Sequence, residues 1–489
     1  MPDSSRERIS AVDTAWLRMD RPSNLMMICG VLLFRERLPL AALKKVLSDR
    51  FLIFGRFRQR AIDTTTGAYW ETDSDFAINH HVIGIALPRR ADTRDLQSLV
   101  SRLISTPLDP ARPLWQFHLV DNFATGSAVI VRIHHCYADG IALVRVMLSM
   151  TDSAPNGPPA MPFEPRDTKR VKENDESDDA FSDVAARFGD VFGYARKIGG
   201  ALIQKGAEIW NDPAKAVALA ESGAALTAEI AKLALMAQDS ATRFKGAPGV
   251  AKRAAWAEPL SLPEVKTIGR SLGASVNDVL LACVTGALRG YLREKGDPVD
   301  GVMMRALVPV NLRPMEEAYR LGNRFGLVFV DLPVGIDNPI ERLYRVRASM
   351  RALKESYQPL LALGVLAAMG AAPKMLQDRL LAMLARNATA VMTNVPGPQQ
   401  PIYLAGARID NLMFWVPQSG DIGMGVSIIS YNDGVQFGVV TDRQICPDPE
   451  RLIARFGIEF EKLVMATLMS PWPRDGDLDP EIAARAVIA

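Results

Sequence analysis

The chain has 489 residues, a formal net charge of +2 and 48% hydrophobic residues. This length exceeds one ordinary domain and predicts two domains of about 200 residues each. The near-neutral charge, without a block of lysine or arginine, argues against a nucleic-acid partner. The four cysteines are scattered and form no CxxC pair, which favours a reducing cytoplasm over a disulfide framework.

The first third of the chain mixes predicted strands and helices. Alternating or continuous apolar runs predict strands over 26–34, 57–60, 69–71, 116–120 and 128–133. Helical periodicity predicts helices over 40–52, 95–105 and 141–150. We expect the last two strands to pair through the turn at 124–127.

Between the last strand and helix of this region lies His134-His135-Cys136-Tyr137-Ala138-Asp139-Gly140, an HHxxxDG pattern. Imidazole suits proton transfer near neutral pH. Neighbouring strand residues point to opposite faces, so only one of the two histidines can face a given cleft. Asp139 can orient a ring or anchor the turn, and Gly140 permits a backbone conformation that a Cβ would forbid. The pattern predicts a catalytic site, with a structural histidine pair as the alternative.

Other chemistry at the histidines is less favoured. His80 and His81 lack a following Asp-Gly, and we interpret them as structural. Adjacent strand histidines diverge, and the chain has no further histidine or cysteine pair at ligand spacing, so we predict no metal site. A Cys136–His nucleophile is disfavoured because sequence neighbours on a strand rarely face each other.

The middle of the chain reads as a linker. Residues 153–165 are rich in proline, glycine and alanine, and 167–183 are dense in charge. Two helices are predicted over 184–202 and 213–237. We interpret them as inter-domain packing, with contact to a membrane surface as the alternative.

A second α/β region follows. Predicted helices cover 262–272, 276–291 and an interrupted stretch from 340 to 386, and predicted strands cover 305–310, 326–332, 390–398, 423–430 and 436–442. The last two strands form a hairpin around Asn432-Asp433-Gly434. These patterns divide the chain into an N-terminal domain (1–165), a linker (166–244) and a C-terminal domain (245–489).

No secretory signal or transmembrane span is expected. The first 20 residues are polar, the uncharged run 387–407 is broken by three prolines, and the apolar core 360–372 is short for a bilayer. We therefore expect a cytoplasmic protein, for which only a peripheral contact with membranes is possible.

Motif blocks along nearly the whole chain resemble the bacterial wax ester synthase/acyl-CoA:diacylglycerol acyltransferases, in the superfamily of CoA-dependent acyltransferases. HHxxxDG alone would indicate only the superfamily, and an Asn-Asp block and an NVPGP block narrow it to the lipid-making branch. The matching blocks are Asp13-Thr14-Ala15-Trp16, Pro113-Leu114-Trp115, His134–Gly140, Asn277-Asp278, Val308–Arg313, Asn394-Val395-Pro396-Gly397-Pro398 and Ser430–Gly434.

The resemblance implies roles for individual residues. His135 is the general base that takes the proton of an alcohol as it attacks an acyl-CoA thioester, without a covalent acyl-enzyme. Asn277 is a candidate oxyanion donor, or alternatively a helix N-cap. Asp139 is more readily a turn anchor than a proton carrier. The remaining assignments are His134 and Gly140 at the site, and Pro113, Leu114, Trp115, Asn394, Pro396 and Gly397 as substrate-binding, with a structural turn as the alternative for the last three.

The same resemblance implies an α/β fold of two chloramphenicol-acetyltransferase-like domains with mixed sheets, joined by a helical linker, with His135 at their interface. The implied partners are acyl-CoA as co-substrate, diacylglycerol or a fatty alcohol, and a membrane or lipid-droplet surface, with no other cofactor. Two alternatives remain: a superfamily enzyme with another acceptor, such as an amine, sugar or polyketide hydroxyl, and a non-catalytic lipid-binding protein.

Overall fold

The computed structural model describes residues 6–65, 67–88, 91–124, 126–155, 157–160, 236–311, 321–323, 325–354 and 386–469. The predicted linker helices up to residue 235 and the 355–385 part of the predicted long helical stretch lie outside these ranges.

The described elements are named in chain order. The strands are β1 (Arg6–Arg8), β2 (Met27–Phe34), β3 (Gln59–Thr64), β4 (Gly67–Thr72), β5 (Val82–Ile85), β6 (Trp115–Phe123), β7 (Gly126–His134), β8 (Lys252–Trp256), β9 (Leu260–Ser261), β10 (Met304–Asn311), β11 (Phe325–Leu332), β12 (Ala390–Pro396), β13 (Tyr403–Leu404), β14 (Ala407–Trp415), β15 (Met424–Tyr431) and β16 (Gly434–Asp442). The helices are α1 (Ala11–Met19), α2 (Leu40–Val46), α3 (Thr93–Ile104), α4 (Gly140–Ser149), α5 (Leu262–Ser271), α6 (Val276–Glu294), α7 (Pro339–Lys354) and α8 (Pro449–Met469), with short π- or 3₁₀-helical segments at Leu47–Phe51, Gly55–Arg58 and Ile78–His80.

The first large sheet is mixed and has the strand order β13-β14-β2-β7-β6-β5. β7 lies inside this sheet and is buried along its whole length, as expected for a continuous apolar run covered on both faces. It pairs antiparallel with β2 and β6, and β5 pairs parallel with β6. The carboxyl end of β7 delivers His134 and the residues after it to one edge of the sheet.

The second large sheet is also mixed, with the path β11-β10-β12-β15-β16-β8 and β9 attached to β16. Its main hydrophobic core includes residues of α5, α6, α7 and α8 together with the inner faces of these strands. α6 begins with a capping box, in which the Ser275 hydroxyl and the Asp278 carboxylate satisfy each other's backbone amides. The hairpin between β15 and β16 turns at Asn432 and Asp433, which both have positive φ, as a two-residue type I′ turn requires.

One strand pair crosses between the two halves of the chain. β13 and β14 follow β12 in sequence, but β14 pairs with β2 in the first sheet. The predicted C-terminal domain, 245–489, therefore contributes residues 403–415 to the sheet of the N-terminal domain. No strand was predicted at 403–415, and the residues of a strand do not indicate with which sheet it pairs, so the sequence did not predict this exchange.

Most predicted elements in the described ranges occur, with ends displaced by a few residues. The unpredicted elements are β1, α1, β5, β8, β9, β13, β14 and α8. Among the described helices no single one is long and apolar enough to span a bilayer. α5 and α6 would meet that test together, but they are bent by 99° and pack within the second core. The run at 387–407 forms β12, the loop after it, β13 and the first residue of β14, in agreement with the expectation that its prolines exclude a spanning helix.

Candidate active site

The motif turn, His134–Gly140, joins β7 to α4. Its backbone is held from both sides of the sheet edge: the His134 amide donates to Leu114 O at 2.9 Å, and the His135 amide donates to Met26 O at 2.7 Å. Both histidines are buried, with 4% and 3% of their surface exposed. Hydrogen bonds between backbone groups alone thus fix the position of the turn.

His134 faces α1's carboxyl end. Its Nδ1 accepts a hydrogen bond from the Cys136 amide at 3.1 Å, and its Nε2 lies 3.8 Å from Oδ1 of Asp20. Burial, together with the neighbouring His135, lowers the pKa of His134 to about 3. Nδ1 of His134 accepts from the turn itself, and Nε2 faces a carboxylate. We therefore interpret His134 as a residue that stabilises the turn.

His135 faces a different set of groups. Its ring stacks on the indole of Trp16 at a centroid distance of 4.1 Å and an interplanar angle of 20°, and Phe325 lies 5.7 Å away. Burial lowers the pKa of His135 to about 4, although the Asp139 carboxylate raises it. The imidazole is therefore neutral at physiological pH, which is the form that can accept a proton.

Asp139 is the N-cap of α4, and its Oδ1 accepts from the Ala142 amide at 2.9 Å. This contact agrees with the interpretation that Asp139 anchors the turn. The expectation that Gly140 adopts a backbone conformation forbidden to other residues is wrong, because its φ is not positive. Gly140 instead opens on empty space, where an added Cβ would meet no atom within 4 Å. A glycine here leaves room beside the motif.

The second half of the chain closes directly on the motif turn. Gly322 forms an isolated parallel bridge with Ala138: the Gly322 amide donates to Tyr137 O at 3.0 Å, and the Asp139 amide donates to Gly322 O at 3.3 Å. Next in the chain, Asn323 donates through Nδ2 to His135 O at 2.8 Å. His135 therefore lies where the two halves meet, as the resemblance implied.

Sequence reasoning missed three residues around His135. Asp13 and Trp16 were noted only as part of a matching block, and Asn323 was not noted at all. Asp13 is 6% exposed, and its Oδ1 accepts from both the backbone amide and Nδ2 of Asn323, at 3.0 and 2.7 Å. The helical spacing of Asp13 and Trp16 places them on one face of α1, but no pattern in the sequence connects that face to His135.

Asn277 lies at the second position of α6 and is 8% exposed. The alternative that it is the N-cap is wrong, because the Ser275 hydroxyl holds that position and accepts from the Asp278 amide at 3.2 Å. Asn394 donates through Nδ2 to Oδ1 of Asn277. The structure thus joins two predicted site residues, although none of the hydrogen bonds or ring contacts of the described residues links this pair to His135.

Pro113, Leu114 and Trp115 lie beneath the motif turn, in the core. Trp115 is fully buried, and its indole nitrogen donates to Phe57 O at 2.8 Å. The ring of His81 stacks on Trp115, and Nδ1 of His81 contacts Trp115 O at 2.8 Å. These contacts support the structural interpretation of His81. They also indicate that the Pro-Leu-Trp block stabilises the motif turn from below.

An apolar cavity opens between α4 and the first sheet. The space between its walls is about 860 Å³ when the open solvent at its mouth is counted with it. Gly140 and Gly397 line it, whereas Asn394 and Pro396 do not. Its other lining residues are almost all aliphatic or aromatic: Ile28, Gly30, Leu32, Val131, Ile133, Leu143, Val144, Met147, Leu148, Thr151, Pro398, Ile402, Leu404, Ile409, Leu412, Met413, Phe414 and Ile429. Such a cavity suits a hydrocarbon chain.

The structure gives Cys136 no catalytic environment. The thiol is fully buried, and burial together with Asp13 and Asp20 raises its pKa well above the usual range, so it stays protonated. Among the residues that the structure describes, no group of three or more His, Cys, Asp or Glu side chains could hold a metal ion.

Comparisons with known proteins agree with this architecture. Residues 9–280 match the model of the wax ester synthase/diacylglycerol acyltransferase catalytic domain, and 321–464 match the WS/DGAT C-terminal domain. The probable diacylglycerol O-acyltransferase tgs2 of Mycobacterium tuberculosis is 30% identical over 415 residues, covering 81% of this chain and 84% of the relative.

Two solved structures show the same fold. The wax ester synthase/diacylglycerol acyltransferase of Marinobacter aquaeolei VT8 has a TM-score of 0.65 and 20% identity, covering 94% of this chain and 100% of that one. The first condensation domain of the CDA synthetase has a TM-score of 0.55 and 14% identity, covering 94% and 97%. The two mixed-sheet domains are thus of the type shared by these acyltransferases and condensation domains. With both family models matched across its length, the chain belongs to the wax ester synthase/diacylglycerol acyltransferase family.

Proposed function

We propose that this chain is an acyl-CoA-dependent O-acyltransferase that forms triacylglycerol, wax esters or both from diacylglycerol or long-chain alcohols. The observation that carries the proposal is the placement of His135: a neutral, buried imidazole, stacked on Trp16, at the junction of the two domains. The names of the relatives support the acceptor class, since tgs2 is named a diacylglycerol O-acyltransferase.

In the proposed reaction His135 takes the proton from the acceptor hydroxyl as the alcohol oxygen attacks the thioester carbonyl. The carbonyl oxygen becomes an oxyanion, which needs donors already in place. When the tetrahedral intermediate collapses, the carbon–sulfur bond breaks, and the imidazolium returns its proton to the departing CoA thiolate. No covalent acyl-enzyme forms and no further cofactor is needed.

Asn277 is the proposed donor to the oxyanion. Its amide oxygen accepts from Asn394, so the amino group at the other end of the carboxamide, the end that an oxyanion requires, is not used in that contact. The side chain belongs to the first turn of α6, where the helix N-terminus adds a partial positive charge. Both features favour a developing negative charge.

The apolar cavity is proposed to take a hydrocarbon chain of a substrate. It reaches the motif at Gly140, the residue after Asp139, and its lining is nearly free of polar groups. A lining of this kind distinguishes chains by length at roughly 1–3 kcal/mol per methylene, but distinguishes weakly between acceptor classes. We therefore expect both a long-chain primary alcohol and diacylglycerol to be esterified at the same site.

We also propose that the protein is cytoplasmic and works at membrane or lipid-droplet surfaces, because its substrates partition there. The segments predicted to make that contact, 184–237 and 360–372, lie almost wholly outside the described residues. Flotation of the protein with phosphatidylcholine vesicles, with and without diacylglycerol, tests this part separately. Recovery of all protein at the bottom of the gradient in both cases would remove it.

The function is tested by incubating purified protein with palmitoyl-CoA and hexadecanol, diacylglycerol, an amine or a sugar, and measuring free thiol and ester. His135→Gln should lower turnover about 10²–10⁴-fold in a folded protein. His81→Gln is the matched control, since His81 is also a buried, aromatic-stacked histidine. Transfer only to the amine or sugar would favour the other-acceptor alternative, and no transfer to any acceptor would favour a lipid-binding protein.

A further inference from the structure

The proposed reaction requires one particular tautomer of the His135 ring. To accept a proton at Nε2, the neutral imidazole must carry its hydrogen on Nδ1, and that N–H needs an acceptor. Nδ1 of His135 is buried, and none of the residues that the structure describes bonds it. A buried donor without a partner destabilises the fold, so an acceptor is to be expected nearby.

Asn323 presents the complementary atom. Its Nδ2 donates to Asp13 Oδ1 at 2.7 Å and to His135 O at 2.8 Å. Both partners can only accept, because one is a carboxylate oxygen and the other a carbonyl oxygen. These contacts settle which end of the carboxamide is nitrogen, a choice that atom positions alone leave open. Oδ1 of Asn323 therefore lies on the remaining side, where it too is buried without a bonded partner among the described residues.

We propose that Asn323 is the positioning residue of His135: its carboxamide oxygen accepts the Nδ1 proton, and Asp13 holds the carboxamide in the orientation that allows this. The proposal rests on the proposed function only in that His135 is the base. It accounts for both unsatisfied atoms at once. Two acceptors near the ring raise the pKa of His135, first the backbone carbonyl of His135 itself and then the Asn323 side chain. That carbonyl already accepts from Nδ2 of Asn323 at 2.8 Å, whereas the Asn323 oxygen has no other bonded partner among the described residues.

Asp13 is itself fixed. Its Oδ2 accepts from the Ser10 hydroxyl at 2.7 Å, and the Asp13 amide donates back to the Ser10 oxygen at 3.1 Å. Burial raises the pKa of Asp13, while its hydrogen bonds from Ser10 and Asn323 lower it. Gly322, the residue before Asn323, has a φ of +102°, a backbone conformation that favours glycine. The chain from Ser10 through Asp13 and Asn323 ends at the base.

The direct test is the position of the proton. In full-length protein labelled with ¹⁵N-histidine, the ring nitrogen shifts at neutral pH distinguish a protonated Nδ1 from a protonated Nε2, and the His135 signals are assigned by their loss in His135→Gln. We expect Nδ1–H in the wild type and predominantly Nε2–H in Asn323→Leu. A proton on Nε2 in the wild type, or no change in the Leu variant, would overturn the proposal.

Kinetics give a second readout. Asn323→Leu should lower kcat by about 10–10³-fold with little change in KM, because an imidazole in the wrong tautomer cannot accept the proton. The acid limb of the pH–rate profile should move to lower pH, since an acceptor that stabilises the imidazolium is lost. An unchanged limb, with only a lower melting temperature, would mean that Asn323 is merely structural.

Asn24→Leu is the matched control. Asn24 is 2% exposed and also donates through Nδ2 to a carbonyl of the second half, Gly420 O at 2.7 Å. It should lose stability while the His135 tautomer stays unchanged, and a shift of the tautomer in this variant would overturn the assignment to Asn323.

Asp13→Asn covers the case in which Asn323→Leu does not fold. An amide at position 13 lets the Asn323 carboxamide turn over, so a partial loss of Nδ1–H is expected, and its full retention would overturn the proposal. The proton position is measured without substrate. If the wild type esterifies no acceptor, the proposed function fails, while the ¹⁵N result still decides the role of Asn323.

Discussion

The imidazole of His135 and the indole of Trp16 are stacked with their ring centroids 4.1 Å apart. The stack fixes the plane of the imidazole, since an indole face leaves a flat ring little freedom to rotate. It also shields one face of His135 from water, which contributes to its burial and to its lowered pKa. A residue from α1 thus helps to decide both the direction and the protonation state of a residue at the end of β7.

Replacing the indole tests the importance of that stack. Trp16→Ala should lower kcat by about 10–100-fold, because the positioning of the base is relaxed, and should destabilise the fold by about 3–5 kcal/mol. Trp16→Phe keeps a stacking face and should retain most activity. Steady-state rates and chemical denaturation measure the two effects. Full activity in a folded Trp16→Ala protein would show that the stack does not position His135.

The amide of Asn277 is expected to act in the transition state. Asn277→Ala should lower kcat by about 10²–10³-fold with a small change in KM, because an oxyanion donor binds the transition state more tightly than the substrate. Asn394→Ala is a useful companion, since it removes the partner of Asn277 without removing the donor, and should cost less. A fall in melting temperature with kcat intact would assign Asn277 a structural role only.

The pH–rate profile reports the state of the base. Burial lowers the pKa of His135 to about 4, so the imidazole is neutral above that value and charged below it. A base must be neutral to accept a proton, so kcat/KM should be flat from pH 8 to about 5 and fall as the pH drops through about 4. Initial rates with a buffer series measure this. An acid limb near the unperturbed value of about 6.5 would contradict the burial of the ring.

Gly30 allows the length of the cavity to be tested. It lies on β2 and lines the cavity, and an added Cβ there would make ordinary contacts at 3.6–3.8 Å. Gly30→Leu should therefore fold, fill part of the cavity, and lower the preference for palmitoyl-CoA over octanoyl-CoA by about tenfold or more. Gly55→Leu is the control, since an added Cβ there would meet no atom within 4 Å.

An unchanged ratio of the two acyl donors in Gly30→Leu would show that the acyl chain lies elsewhere. A shift in alcohol preference instead of acyl preference would assign the cavity to the acceptor chain. Competition between the two acyl-CoA esters in one reaction gives the ratio directly.

The local parts of the site could be predicted from the sequence. The HHxxxDG pattern between an apolar strand and a helix placed the two histidines at a strand end, and it placed Asp139 where a helix begins. The strict alternation of strand side chains required the two rings to diverge, and His134 and His135 do face different partners. These features depend on residues close together in the chain, for which spacing and side-chain chemistry suffice.

The residues that surround and position His135 could be identified only from the tertiary structure. Asn323 lies 188 positions from His135 and 310 positions from Asp13, yet it bonds both. β14 leaves the second half of the chain to pair with β2, and Gly140 lines the apolar cavity without a positive φ. Periodicity predicts which face of an element is buried, but not what it is buried against. Contacts between distant segments depend on how the whole chain packs, and a local sequence pattern does not specify that packing.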